Sequence, residues 1–118
     1  MTSDSERYDH PERMRSRGQA TRYMAEDIVK IIVSGRVQGV GFRFYCQRKA
    51  HEFGISGWAR NRSNGTVEVR ASGTDEALRE FVTALKRGPK FGRVEGISVK
   101  ESGDGNVTDI EAGAFQIR

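Results

Sequence analysis

A single cysteine, Cys46, occurs among the 118 residues, so no intrachain disulfide can form, and a reducing cytoplasm is the compartment that fits. Two histidines, His10 and His51, stand far apart, and with one thiol they give no ligand cluster for zinc or iron. No stretch approaches the roughly 20 apolar residues of a membrane span. The first residues also lack the apolar centre of a secretory signal and are too rich in acids to resemble a transit peptide. Disulfide scaffolds, metalloenzymes and membrane-spanning proteins are therefore not expected.

What is present is charge, unevenly spread. Charged residues make up 31% and hydrophobic residues 36% of the chain, and the polarity is concentrated at the start. Residues 1–27 hold five arginines and six acids but few large apolar side chains. Such a stretch cannot bury enough surface to offset the entropy of ordering it. It is expected to be a disordered leader, with Met14 and Met24 as alternative starts. The remaining residues, 28–118, form one domain with a single modest core. The full chain carries +4, and without its acidic leader the domain carries a slightly larger positive charge. A small cationic domain favours anionic partners: phosphorylated metabolites, nucleic acid or an acidic membrane surface.

Periodicity orders the domain. Ile28–Ser34 is β-branched and nearly continuous, the mark of a central strand. From Phe42 the apolar positions follow one face of a helix that Gly54 ends. Residues 56–61 and 66–71 read as two strands joined through Asn64-Gly65, which suits a type I′ turn. Thr74 caps a second helix whose buried stripe is Ala77, Leu78, Phe81, Val82 and Leu85, and Gly88-Pro89 stops it. Val94–Lys100 is a fourth strand, 102–109 a polar loop, and Ala114–Ile117 a short last strand. The order is that of an α+β, ferredoxin-like β-α-β-β-α-β sandwich, an antiparallel sheet with two helices on one face. Enzymes and RNA-binding domains share this topology, so the fold alone assigns no function.

Chemistry concentrates in Gly35-Arg36-Val37-Gln38-Gly39-Val40-Gly41-Phe42-Arg43, where the first strand ends and the first helix begins. Glycines at 35, 39 and 41 let the backbone turn several N–H groups toward one point, and the helix start behind them adds partial positive charge. Arg43 adds a planar fork of donors that matches two oxygens of a phosphate. The segment is neither a Walker loop, for no Gly-Lys-Ser/Thr follows, nor a dinucleotide fingerprint, for position 44 is Phe44.

This run resembles the GxVQGVxFR signature of acylphosphatases, with every fixed position filled. A second segment is similar too: Gly57-Trp58-Ala59-Arg60-Asn61, then a turn and Gly65-Thr66-Val67, with Asn61 eighteen positions after Arg43. The resemblance covers residues 28–118. It implies hydrolysis of acyl phosphates to a carboxylate and inorganic phosphate, with Arg43 and Asn61 catalytic. Phosphate would be bound by Arg36, Val37, Gln38, Gly39 and Val40 through their backbone amides, together with Arg43, and the attacking water held by Asn61. It further implies no cofactor and no metal, a small-molecule acyl phosphate substrate, inorganic phosphate or sulfate as an anion ligand, and a cytoplasmic monomer without nucleic-acid or membrane partners. Many acylphosphatases end on an aromatic residue, whereas this chain reads Ile117-Arg118 there, which leaves the packing of the final strand open.

Other residues are given plainer roles. Arg36, Arg60 and Arg62 are expected to supply a field that attracts anions. Phe42, Trp58 and Cys46 belong to the core, and His51 to solvent. The side chain of Gln38 either caps the loop or faces water. An RNA-binding module would need exposed aromatics on its central strands, and the strand 66–71 has none.

Overall fold

The computed structural model describes residues 27–101 and 109–118. The expected leader up to residue 26 and the polar loop at 102–108 lie outside these residues. Seven elements follow in order: β1 (Asp27–Arg36), α1 (Phe42–Phe53), β2 (Ser56–Asn61), β3 (Val67–Gly73), α2 (Asp75–Arg87), β4 (Arg93–Glu101) and β5 (Phe115–Ile117). Strand β1 begins at Asp27, one residue inside the expected leader, where it pairs with Gly73.

The strands lie in the order β4-β1-β3-β2-β5. Strand β1 lies inside the sheet, antiparallel to both β3 and β4, and β2 is antiparallel to β3. The short β5 joins β2 in parallel, which makes the sheet mixed at that edge. Alternation then decides which side chains are covered. Val29, Ile31 and Val33 of β1 and Val67, Val69 and Ala71 of β3 share one face, at 0–2% exposure. They form one core with Phe42, Tyr45, Cys46 and Ala50 of α1 and Leu78, Phe81 and Leu85 of α2. Both helices therefore cover that face of the ferredoxin-like sheet. Phe81 packs edge-on against Phe115 of β5 at 6.0 Å between ring centres. Complete burial of a ring of that size contributes about 1.5–3 kcal/mol. The Tyr45 hydroxyl donates to the Ala84 carbonyl at 2.7 Å and ties the helices to each other.

The ends of the elements follow from local chemistry. Helix α1 stops at Gly54, which adopts the left-handed conformation, and the Ile55 amide bonds back to the Ala50 carbonyl at 2.8 Å. Helix α2 starts at Thr74, whose hydroxyl accepts from the Ala77 amide at 3.1 Å. The β2–β3 turn differs from expectation. The Gly65 amide bonds to the Arg62 carbonyl at 3.1 Å and the Arg62 amide to the Thr66 carbonyl at 2.8 Å, so three residues, 63–65, form the loop. The bend falls one position early because the Asn64 carboxamide oxygen accepts from the Thr66 amide and hydroxyl at 3.1 and 2.7 Å. A tight turn closed by a positive-φ glycine results, instead of a two-residue type I′ turn.

Candidate active site

The glycine-rich segment is bent from both ends. At its start the β1–β4 register shifts between Ser34 and Gly35. Gly35 has φ of 118°, and a β-carbon there would overlap the carbonyl oxygen of Arg93 on β4. Only glycine permits that approach, and the bulge re-aims the chain out of the sheet. Val37 then turns inward and is buried. At the far end Gly41, φ 81°, is the residue before α1, and a β-carbon on it or on Gly39 would face open space. These two glycines answer to backbone conformation alone, and the surface above them is accessible.

The start of α1 carries no side-chain cap and no acid in its first turn. Its leading amides and its partial positive charge are thus left to whatever reaches them from outside the helix. Arg43 stands in that first turn, with Nη1 donating to the backbone oxygen of Arg118 at 2.7 Å. One turn later Gln47 Nε2 donates to the Phe115 oxygen at 2.8 Å. Two side chains of α1 therefore grip β5 and the residue that follows it, and the bond to Arg118 fixes one edge of the Arg43 fork.

Asn61 is the last residue of β2 and is exposed. Among the described residues its carboxamide has no hydrogen-bond partner, in contrast to Gln38, Gln47 and Asn64. Two anchors bracket it. On one side the Arg118 amide bonds to Ala59, two residues earlier, at 2.8 Å, and the oxygen of that same Arg118 holds Arg43. On the other, Gln38 Nε2 donates to the carbonyls of Arg62 and Thr66 at 2.8 and 2.9 Å. The glycine-rich loop and the fork of Arg43 are in this way tied to the strand end that carries Asn61.

The bridging role of the Gln38 side chain is the part that sequence reasoning missed. Its two N–H groups meet the two carbonyls of the residue pair that closes the hairpin, a complete use of one amide nitrogen. No local spacing signals this, because the partners lie 24 and 28 positions away. Arg36 ends β1 opposite Arg93 and is exposed, and Val40 is half-buried against the core. Arg60 is not merely a diffuse charge: Nε and Nη2 donate to Glu68 Oε1 at 3.1 and 2.8 Å. Burial pushes the Glu68 carboxyl up, but hydrogen bonds and charge from Arg60 and Arg70 outweigh it and hold the pKa below the ordinary value. This pairing stabilises the fold fully above the ordinary glutamate range and is lost as pH falls through the depressed value. Cys46 is fully buried, and burial pushes its thiol far up, which leaves it inert. Among the described residues no group of three or more His, Cys, Asp or Glu side chains could hold a metal ion. No helix among them is long and apolar enough to cross a membrane.

Known proteins match this geometry. The acylphosphatase family model matches residues 29–117. An acylphosphatase of Bacillus subtilis is 51% identical over 73 residues, which are 62% of this chain and 80% of that protein. The crystal structure of acylphosphatase from Bacillus subtilis superposes with a TM-score of 0.70 at 43% identity, over 77% of this chain and 97% of the other. The structure of an acylphosphatase from Coxiella burnetii gives 0.72 at 30% identity, over 85% and 100%. With its loop, helix start and paired motifs in place, the chain belongs to the acylphosphatase family, enzymes that hydrolyse acyl phosphates.

Proposed function

We propose that the backbone amides of residues 36–40 and the Arg43 guanidinium bind the phosphoryl group of the substrate, and that Asn61 holds the attacking water. The observation that carries this reading is the uncapped start of α1, with Arg43 in its first turn and the unengaged carboxamide of Asn61 tied to the same end of the molecule. An acyl phosphate is a mixed anhydride, and its leaving carboxylate has a pKa near 4. It departs without a proton, so no general acid is required. Phosphoryl transfer calls for alignment and for stabilising charge on the equatorial oxygens, which amides and a guanidinium can supply. The Asn61 carboxamide accepts from the water and donates to the substrate, and since it takes up no proton, the proton leaves on the phosphate.

The same reading carries the finer expectations. A site that grips phosphate and water leaves much of the acyl group unread, so several acyl phosphates should serve, and inorganic phosphate should compete. The protein acts as a cytoplasmic monomer, a compartment supported by one buried thiol and no second cysteine. Residues 28–118 form the catalytic unit, and a chain beginning at Met24 should match the full chain in activity and melting temperature.

Hydrolysis of benzoyl phosphate, with inorganic phosphate as competitive inhibitor, tests the proposal. Asn61→Ala should lower kcat by roughly two to three decades while phosphate inhibition persists. Turnover should be flat from about pH 5 to 8 and insensitive to EDTA, since the proposed mechanism uses no general acid, no general base and no metal. A bell-shaped profile with a limb near the ordinary histidine range of about 6.5 would replace this mechanism with acid–base catalysis.

A further inference from the structure

The glycine-rich segment is flanked on two sides. On one side stand the β2–β3 hairpin, reached by Gln38, and the strand end that carries Asn61. On the other stands the connection between α2 and β4, which approaches both ends of the segment. A β-carbon on Gly92 would lie 3.3 Å from the Arg36 carbonyl oxygen, and one on Gly88 would lie 4.0 Å from the Phe42 ring. The sheet order keeps the flanks apart: β1, which leads into the segment, has β4 on one side and β3 and then β2 on the other. Residues 89–92 form a tight turn, closed by the Gly92 amide donating to the Pro89 carbonyl at 3.1 Å. Its base rests against Arg36, so the two middle residues, Lys90 and Phe91, form the tip. Gly, Asn, Asp and Ser are the usual residues at such positions. Phe91 is instead 71% exposed, the most exposed large apolar side chain among the described residues. Lys90 Nζ lies 5.6 Å from its ring centre.

From this geometry we infer that the turn at 89–92 is the subsite for the acyl end of the substrate, and that Phe91 makes it favour aromatic acyl groups. The inference rests on the reading that Asn61 holds the attacking water, and it deepens that reading by assigning a residue to the other half of the substrate. As the water oxygen bonds to phosphorus, the bond from phosphorus to the acyl oxygen breaks on the opposite side, and its electron pair leaves on the carboxylate. With Asn61 on the β2 flank, that opposite side is the β4 flank, where the turn stands. A phenylalanine exposed by itself on a surface is ordinary. This one is held beside Arg36, whose amide is the first of the phosphate cradle, so a phosphoryl group bound there brings its acyl group to the tip of the turn. An aroyl ring can meet the Phe91 ring offset or edge-on and shed water from both, whereas an acetyl group offers a single methyl. No acid occurs in residues 88–93, and Lys90 and Arg93 bracket Phe91 with positive charge, which favours departure of a carboxylate in this direction.

The test compares benzoyl phosphate with acetyl phosphate in the full-length protein and its variants. Phe91→Ala should lower kcat/KM for benzoyl phosphate by roughly three- to tenfold, the size of one aromatic pair, with the loss carried by KM. Turnover of acetyl phosphate and the inhibition constant for inorganic phosphate should stay within about twofold, since neither ligand reaches the ring. Phe91→Tyr should keep the preference for the benzoyl group. An unchanged ratio between the two substrates in Phe91→Ala, or an equal loss for both, would overturn the subsite while leaving the hydrolytic reading intact. So would a fall of the ratio in Phe44→Ala with none in Phe91→Ala, which would lay the acyl group over α1 instead. Full turnover by Asn61→Ala would take the water away from the β2 flank, and failure to hydrolyse either substrate would remove the hydrolytic reading itself. Either result overturns the inference together with the reading it rests on.

Discussion

The two helices of this protein begin in opposite ways. Helix α2 is closed at its start: Thr74 caps the Ala77 amide, Asp75 and Glu76 occupy the first turn, and Arg79 pairs with Asp75. Helix α1 has a left-handed glycine where α2 has its cap, no acid in the first turn, and a cation, Arg43, where a dipole argument would put an anion. One start is satisfied by the chain itself and contributes stability. The other is left wanting negative charge, and in an acylphosphatase the substrate's phosphate is the natural supplier. On the proposed reading, the apparent errors of helix design mark the functional end of the molecule, whereas the correctly built helix marks scaffold.

The largest effect should come from removing the cation at the open start. Arg43→Ala is expected to cost about 3–4 kcal/mol in kcat/KM for benzoyl phosphate, as loss of a key electrostatic donor does. Arg43→Lys should recover little, because a point charge reproduces neither the fork nor the bond to Arg118. Near-normal turnover in the lysine variant would remove the fork from the mechanism.

An intermediate effect, on stability alone, should follow from opening the closed start. Thr74→Ala is expected to cost about 1 kcal/mol, lowering Tm by about 4–8 °C in a domain of this size, with kcat/KM at 25 °C unchanged. Should activity fall with Tm unaltered, the contrast between the two helices would be misdrawn.

The smallest and most discriminating change closes the open start. Phe44 sits in the first turn of α1 at 65% exposure, so Phe44→Glu gives that helix the acid that α2 already has. Phosphate affinity should fall by about two- to fivefold, the equivalent of 0.3–1 kcal/mol of helix-terminus interaction, while Tm holds or rises slightly. An unchanged inhibition constant for phosphate would show that the helix field contributes nothing to the grip.

Much of this contrast was legible in the sequence. The Thr74 cap, the acids behind it and the glycine-rich entry to Arg43 all depend on neighbours a few positions apart, where spacing carries the information. The partnerships that shape the site do not. Gln38 reaches a hairpin, Arg43 reaches the last residue, and β5 pairs in parallel with β2. Each contact is set by where strands lie in the sheet, which periodicity does not encode. The hairpin turn was displaced by one residue because the Asn64 side chain competes locally for backbone donors. The final strand lacks a terminal aromatic, and in its place the Arg118 side chain lies over Trp58 and bonds Asp109 and Gln116. Glu68, within the segment read only as the strand 66–71, proves to be the buried partner of two arginines.

Gly35 meets the Arg93 carbonyl across the β1–β4 ladder, and that ladder joins the first strand of the sheet to a segment synthesised much later, with Val29 opposite Glu101. Contacts this far apart in sequence require long loop closures and form slowly compared with the local β2–β3 hairpin. On a ribosome, the glycine-rich segment proposed to hold phosphate emerges early yet takes its bulged shape only after β4 is complete. Catalytic competence is therefore a late product of folding, withheld until nearly the whole domain exists.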